Sequence, residues 1–210
     1  LNGAEALLIM VFKEGFFHAD PHAGNLFILP GNRVAFIDFG MVGALRPREM
    51  DFLANLSIGF ARRDPIGLYL HIPFCDGKCP YCDFYSLPAG SRTMDDYCGR
   101  LISELFLWGE KCPRFVDTLY FGGGTPSLLG ADRLSRLITA AQKAFSFVPG
   151  AEITVEMNPC SAGGFDFPAL RMAGANRISI GLQSALDAEL QFLGRRHTAR
   201  QAWDTAAAAQ

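Results

Sequence analysis

From residue 65 onward, strand-like runs recur at Gly67 to Ile72, Val116 to Phe121, Glu152 to Glu156 and Arg177 to Gly181. Each is followed by a helix-like stretch, around Asp95 to Trp108, Ala131 to Phe145, Phe167 to Ala173 and Asp187 to Leu193. A hairpin cannot join parallel strands, so this alternation demands helical crossovers, and it predicts an α/β fold built on a parallel sheet of four β-α units. The crossovers are expected to be right-handed, and the chemistry to sit on the loops after the C-terminal ends of the strands.

Residues 1–64 read differently. Ala4 to Lys13 is apolar at helical spacing, and Leu26 to Leu29 and Val34 to Ile37 are short strand-like runs joined by the turn Pro30-Gly31-Asn32. Asp38-Phe39-Gly40 follows directly, and Pro47 to Arg63 reads as a helix with proline in its first turn. We place a module boundary near Asp64–Pro65. The chain opens on Leu1 and stops within Ala206 to Gln210, a helix-like run without a stop signal, so both ends read as cut.

Composition narrows the function. With 19 Lys plus Arg against 21 Asp plus Glu and no basic run, the chain lacks the clustered positive face of a nucleic-acid binder. Its longest apolar run, Ala6 to Phe12, is far short of the roughly 18 to 20 residues that cross a bilayer, so no membrane span is expected. The six cysteines, at positions 75, 79, 82, 98, 112 and 160, all lie in the second module. Without a signal peptide they suggest a reducing, cytoplasmic setting and metal or redox chemistry rather than a disulfide scaffold.

Cys75, Cys79 and Cys82 form C-x3-C-x2-C on the loop after the first strand of this module, close enough to converge on one centre. Two readings fit: a zinc knuckle completed by His71, or a cubane iron–sulfur cluster whose fourth iron stays open to a ligand. Gly122-Gly123-Gly124-Thr125-Pro126 follows the second strand, where glycines allow a close ligand approach and are expected to aim N–H groups at an acceptor. The absence of a Gly-Lys-Ser/Thr ending excludes a P-loop. Glu156-Met157-Asn158-Pro159 closes the third strand, Ile180-Gly181-Leu182-Gln183-Ser184 the fourth, and Gly194-Arg195-Arg196-His197-Thr198 comes one helix later.

Together these motifs resemble the radical S-adenosylmethionine (SAM) superfamily, and within it the group of HemW and oxygen-independent coproporphyrinogen III oxidase, over residues 66–210. The resemblance implies a [4Fe-4S] cluster on Cys75, Cys79 and Cys82, with SAM chelating the unique iron. One-electron reduction by an external donor then yields a 5′-deoxyadenosyl radical that abstracts hydrogen. By match, Tyr69, Gly123, Gly124, Thr125, Glu156, Gln183 and Arg195 are SAM-contacting positions, and Tyr81 flanks the cofactor from within the cysteine loop. The oxidase pattern carries a further cysteine two residues after the third ligand. Here Cys82-Asp83-Phe84 lacks it, which favours the HemW-like branch and a heme or porphyrin partner. The rival reading is a non-enzymatic heme or metal carrier. Cys98, Cys112 and Cys160 fall outside the motif and are read as packing thiols.

In the first module, Phe17-His18-Ala19-Asp20-Pro21-His22-Ala23-Gly24-Asn25 and then Asp38-Phe39-Gly40 resemble the UbiB/ADCK atypical kinase-like family of ubiquinone biosynthesis. By that match Asp20 is the catalytic-loop aspartate, and Asn25 and Asp38 are magnesium ligands. Nothing upstream supplies the lysine that anchors ATP, so Mg-ATP chemistry is expected only of a complete domain. The expectation is therefore a chimera: a kinase-like C-lobe fragment over 1–64, then a truncated radical SAM core over 65–210. Such a partial barrel leaves sheet edges and apolar faces open, and low stability or aggregation follows.

Overall fold

The computed structural model describes residues 3–31, 33–62 and 64–210, with Ala23 and Phe60 described by their backbone alone. The chain forms two compact units, Leu1–Asp64 and Pro65–Gln210.

In the first unit, α1 (Gly3–Ile9) widens into a π-helical turn, Met10–Glu14, and stops at Gly15, which takes φ 65° and donates its N–H to Met10 O. β1 (Phe16–His18) pairs antiparallel with β4 (Val42–Ala44), and β2 (Leu26–Leu29) with β3 (Arg33–Phe36). The β2–β3 hairpin matches the sequence reading, with Leu26 opposite Phe36. Asn32 of its expected turn lies outside the described residues. The β1–β4 pair escaped that reading because its register, Phe16 with Ala44 and His18 with Val42, joins short segments distant in sequence. α2 (Pro47–Arg62) closes the unit, with Glu49 accepting the Arg46 backbone N–H at 2.7 Å; Arg63, the expected last residue, lies outside the described residues. This unit buries polar groups: His18 and Asn25 are inside, while Phe27, Ile28, Phe39 and Phe52 are exposed. Among its described residues no large apolar side chain is fully buried.

The second unit is an α/β layer. Its strands β5 (Ile66–Ile72), β6 (Phe115–Gly123), β7 (Ser146–Met157) and β8 (Arg177–Ile180) form one sheet in the order β5-β6-β7-β8, every neighbour parallel. α3 (Ser91–Lys111), α4 (Gly130–Ala144) and α5 (Phe167–Met172) form the connections, and α6 (Asp187–Phe192) and α7 (Ala199–Ala208) follow β8. β7 starts earlier than the sequence pattern suggests. Ser146 and Phe147 already pair with Phe115 and Val116, and a register shift then carries Glu152 opposite Thr118.

Strand alternation separates two faces. Leu70, Ile72, Leu119, Phe121, Ile153 and Val155 are buried against Leu134, Leu137, Ile138 and Leu170 of the helices. The opposite face carries Tyr69, His71, Tyr120, Thr154, Glu156 and Ser179. It is a polar, hydrogen-bonded surface: Tyr120 Oη donates to Glu156 Oε1 at 2.7 Å and Thr154 Oγ1 to Glu152 Oε1 at 2.8 Å.

Candidate functional site

All four strands of the second unit point their C-terminal ends at one cavity of about 730 Å³. The loop after β5 brings Cys75, Cys79 and Cys82 to its wall, β6 brings Gly123, Gly124 and Thr125, β7 brings Glu156 and Asn158, and β8 brings Ser179, Gly181 and Gln183. Arg195 enters from the turn after α6, and Tyr81 lines the wall from within the cysteine loop. Residues far apart in sequence thus meet because a parallel sheet puts every strand end on one rim.

The three thiols are free and half-buried. Thr125 Oγ1 donates to Cys75 Sγ at 3.5 Å, and Arg195 Nη1 donates to Cys79 Sγ at 3.7 Å. The Arg195 guanidinium is braced by Nη2 on Gly181 O at 3.1 Å and Asn158 Oδ1 at 3.3 Å, while its buried Nε has no protein acceptor. An orphaned buried donor on a cavity wall is a place for a ligand acceptor. Tyr81 lies beside Cys79 and Arg195; desolvation pushes its phenol up, and the Arg195 charge opposes that. Tyr120 is raised by desolvation and then by its bond to Glu156. Gln183 holds φ 63°, a left-handed backbone unusual for a residue with a side chain, at the end of β8.

The glycine loop works differently from the sequence expectation. Gly124 N–H donates to Ile72 O at 2.8 Å and Thr125 N–H to Phe74 O at 2.7 Å, so both donors are spent on β5 and its extension rather than aimed at a ligand. The glycines serve close approach instead. A Cβ on Gly124 would lie 2.5 Å from Phe74 O, and Gly123 takes φ 114° with the His71 ring packed against it.

Tyr69 stands apart from the other expected SAM positions. It does not line the cavity; its hydroxyl pairs with His71 Nδ1 at 3.1 Å and its ring stacks on Tyr120 at 6.2 Å. His71 Nε2 meets Tyr85 O at 3.3 Å, so both ring nitrogens are engaged away from the cysteines. Among the described residues, no three His, Cys, Asp or Glu side chains converge on a single-ion site. A zinc knuckle completed by His71 therefore does not fit. Three thiols line one cavity, with a cation at one sulfur and an orphaned donor beside them, a donor set that fits a sulfur-ligated centre.

Asn158 and Tyr120 were not singled out as site residues from the sequence. Asn158 lies in the Glu-Met-Asn-Pro motif, which was signal enough; Tyr120 becomes visible only through the cross-strand register that sets it beside Glu156. Of the remaining cysteines, Cys98 is buried as a packing thiol should be, Cys112 is half-buried, and Cys160 is exposed, so packing does not account for it.

In the first unit, His18 Nε2 donates to Ile37 O at 2.9 Å and its Nδ1 accepts from Asp20 N–H at 3.2 Å. Asn25 Nδ2 donates to Asp20 O at 3.2 Å, and Asn25 O accepts from Ile37 N–H. The buried histidine and asparagine therefore brace the loop that carries Asp20 against the segment that leads to Asp38. Asp38 has φ 56° and accepts from Gly40 N–H at 3.3 Å.

A four-stranded parallel β/α sheet with a three-cysteine loop and a glycine loop on one rim defines an α/β protein with its site at the C-terminal strand ends. Residues 69–210 match the Radical SAM superfamily, and the chain belongs to it. Residues 2–69 match the ABC1 atypical kinase-like domain, so the two-part character expected from the motifs holds. The chain is 42% identical over 147 residues to the mitochondrial radical S-adenosyl methionine domain-containing protein 1 of Bos taurus, covering 68% of this chain and 33% of that protein. It is 40% identical over 144 residues to the heme chaperone HemW of Escherichia coli, covering 66% and 37%. The solved structure of the radical SAM enzyme coproporphyrinogen III oxidase (HemN) from Escherichia coli superposes with a TM-score of 0.62 at 29% identity, over 69% of this chain and 34% of that one. The chain thus spans about a third of the length of these relatives.

Proposed function

We propose that residues 65–210 form a cluster- and SAM-binding core of a HemW-like protein of heme or porphyrin metabolism, and that residues 1–64 are a kinase-like module without phosphoryl-transfer activity. The observation that carries this reading is the single cavity on which three free thiols, Glu156, Gln183 and Arg195 converge. When bound, a [4Fe-4S] cluster on Cys75, Cys79 and Cys82 together with SAM supplies a one-electron reductive cleavage that ends in hydrogen abstraction.

The chain's own residues prepare the site. Arg195 donates through Nη1 to Cys79 Sγ and so sets a cation beside that sulfur. Thr125 holds the Cys75 sulfur by its hydroxyl. Glu156, held through one oxygen by Tyr120, offers its carboxylate to the ammonium or hydroxyls of a cofactor. Gly123 and Gly124 let this loop lie close against His71 and Phe74, and the Arg195 Nε is available to a carboxylate. Asp83 and Phe84 stand on the wall where the oxidase pattern has its extra cysteine, which supports a heme-handling role over propionate decarboxylation. Electrons come from an external donor, and no described helix is long and apolar enough to cross a membrane.

Anaerobic reconstitution with iron and sulfide, followed by dithionite and SAM, is expected to give sulfur-to-iron charge-transfer absorbance and 5′-deoxyadenosine. Absence of both sinks the cluster and SAM assignment. Heme titration of the reconstituted chain and of Cys82→Ala separates a carrier, which keeps heme binding after cluster loss, from a cluster-dependent protein. For the first module, Asn25 Nδ2 donates to Asp20 O, so a metal would meet this amide through Oδ1. Mg²⁺-dependent ATP hydrolysis that disappears in Asp38→Ala would overturn the inactive reading.

A further inference from the structure

Three consecutive residues after α6 reach back across the chain to the cysteine loop. Gly194 takes φ 70°, and a Cβ there would lie 2.9 Å from Pro80 Cδ, so the backbone touches the loop where only glycine fits. Arg195 Nη1 reaches Cys79 Sγ at 3.7 Å. Arg196 Nη2 reaches Asp76 Oδ2 at 2.6 Å, and its guanidinium lies over Gly77 at 3.9 Å from where a Cβ would be. The turn is anchored from behind: buried His197 bonds Leu182 O at 3.1 Å through Nε2, Arg195 N–H donates to Leu190 O, and Thr198 caps α7 through a reciprocal bond with Gln201.

We propose that the Gly194–Arg196 turn is a clasp that holds the cysteine loop in the shape that receives the cluster, with Arg196–Asp76 as its adjustable closure and Arg196 as a positioning residue. This rests on the cluster reading above for its purpose, though not for its existence. The loop between Cys75 and Cys82 has no helix or strand of its own; inside it Cys82 N–H donates to Cys79 O and Cys75 Sγ to Gly77 O, and other segments supply the rest of its hold. The contacts at Pro80, Cys79 and Asp76 grip it along one side, from a turn fixed to the end of β8. Both partners of the ion pair are more than half exposed, so the closure is weak and salt-sensitive, which suits a loop that must admit a cluster.

The test measures alkylation rates of Cys75 and Cys79 in the cluster-free chain by mass spectrometry, with Cys112 as internal reference, and the rate of iron loss to a chelator after reconstitution. Arg196→Ala is expected to speed both by up to about fivefold, the range of an exposed ion pair. Salt should bring the unmodified chain toward the variant, and Arg196→Lys should retain most of the protection. The charge-reversed double variant, Arg196→Asp with Asp76→Arg, should restore slow rates, which a purely steric role of Arg196 would not do. Gly194→Ala, which presses on Pro80, should act in the same direction as Arg196→Ala. Unchanged rates in Arg196→Ala at low salt, or a double variant no slower than the single one, overturn the clasp. A chain that takes up no cluster while its thiol rates respond as stated retains the clasp and loses the cofactor reading.

Discussion

Single side chains in this site are held by partners that a linear reading does not reveal. Tyr120 donates to Glu156 and so fixes one carboxylate oxygen, leaving the other for a ligand. Tyr120→Phe removes a hydrogen bond to a charged group, worth about 1.5–3 kcal/mol where it is intact. The expected outcome is SAM affinity lowered by about tenfold or more in equilibrium dialysis of the reconstituted chain, with cluster content unchanged. Gly124→Ala puts a methyl group 2.5 Å from Phe74 O and pushes apart the pair Gly124 N–H to Ile72 O. Overpacking of this kind costs about 1–3 kcal/mol, read as a lower denaturant midpoint in urea.

At the scale of elements, the turn between α6 and α7 carries a titrating group. Burial pushes the His197 imidazole below its ordinary value of 6.5, and the Arg195 charge adds to that. The ring donates from Nε2 to Leu182 O, and its Nδ1 is buried without a partner, so a second proton would bring a donor with nowhere to go. Because the folded-state value is depressed, the stability His197 contributes is present above pH 6.5 and lost as pH falls through the histidine range. The melting temperature should drop between about pH 7 and 5, and the drop should shrink in His197→Gln. A profile identical in the two proteins would remove His197 as the cause. α4 shows the other kind of dependence. Leu134, Leu137 and Ile138 lie fully inside the sheet–helix layer, so Leu137→Ala should destabilise the second unit by about 2–5 kcal/mol in chemical denaturation.

Across the whole molecule, the two units differ in how they bury their surface. The second has a continuous apolar core from Leu70 to Ala175, whereas the first buries His18 and Asn25 and exposes Phe27, Ile28, Phe39 and Phe52. Contiguous exposed apolar surface drives association. The expected result is concentration-dependent self-association in sedimentation velocity, with binding of a hydrophobic dye; a monomer with a single sharp melt would count against it.

What could be read without coordinates was the part set by local rules. Strand and helix periodicity located the four β-α units, and the spacing of Cys75, Cys79 and Cys82 defined a loop that can serve one centre. The change in character near Asp64–Pro65 marked the join. Periodicity and short spacings record which face a residue takes and which neighbours lie within a turn, and little else. Pairings across long sequence distance lay beyond that: β1 with β4, the register that sets Tyr120 by Glu156, and the grip of Asp76 by Arg196. The fate of the glycine-loop N–H groups was also undecided, because a donor gives no sign in sequence of whether a strand or a ligand will accept it. Only the packed sheet, by bringing four strand ends to one rim, determined that Tyr69 Oη pairs with His71 Nδ1 while Arg195 Nη1 reaches Cys79 Sγ.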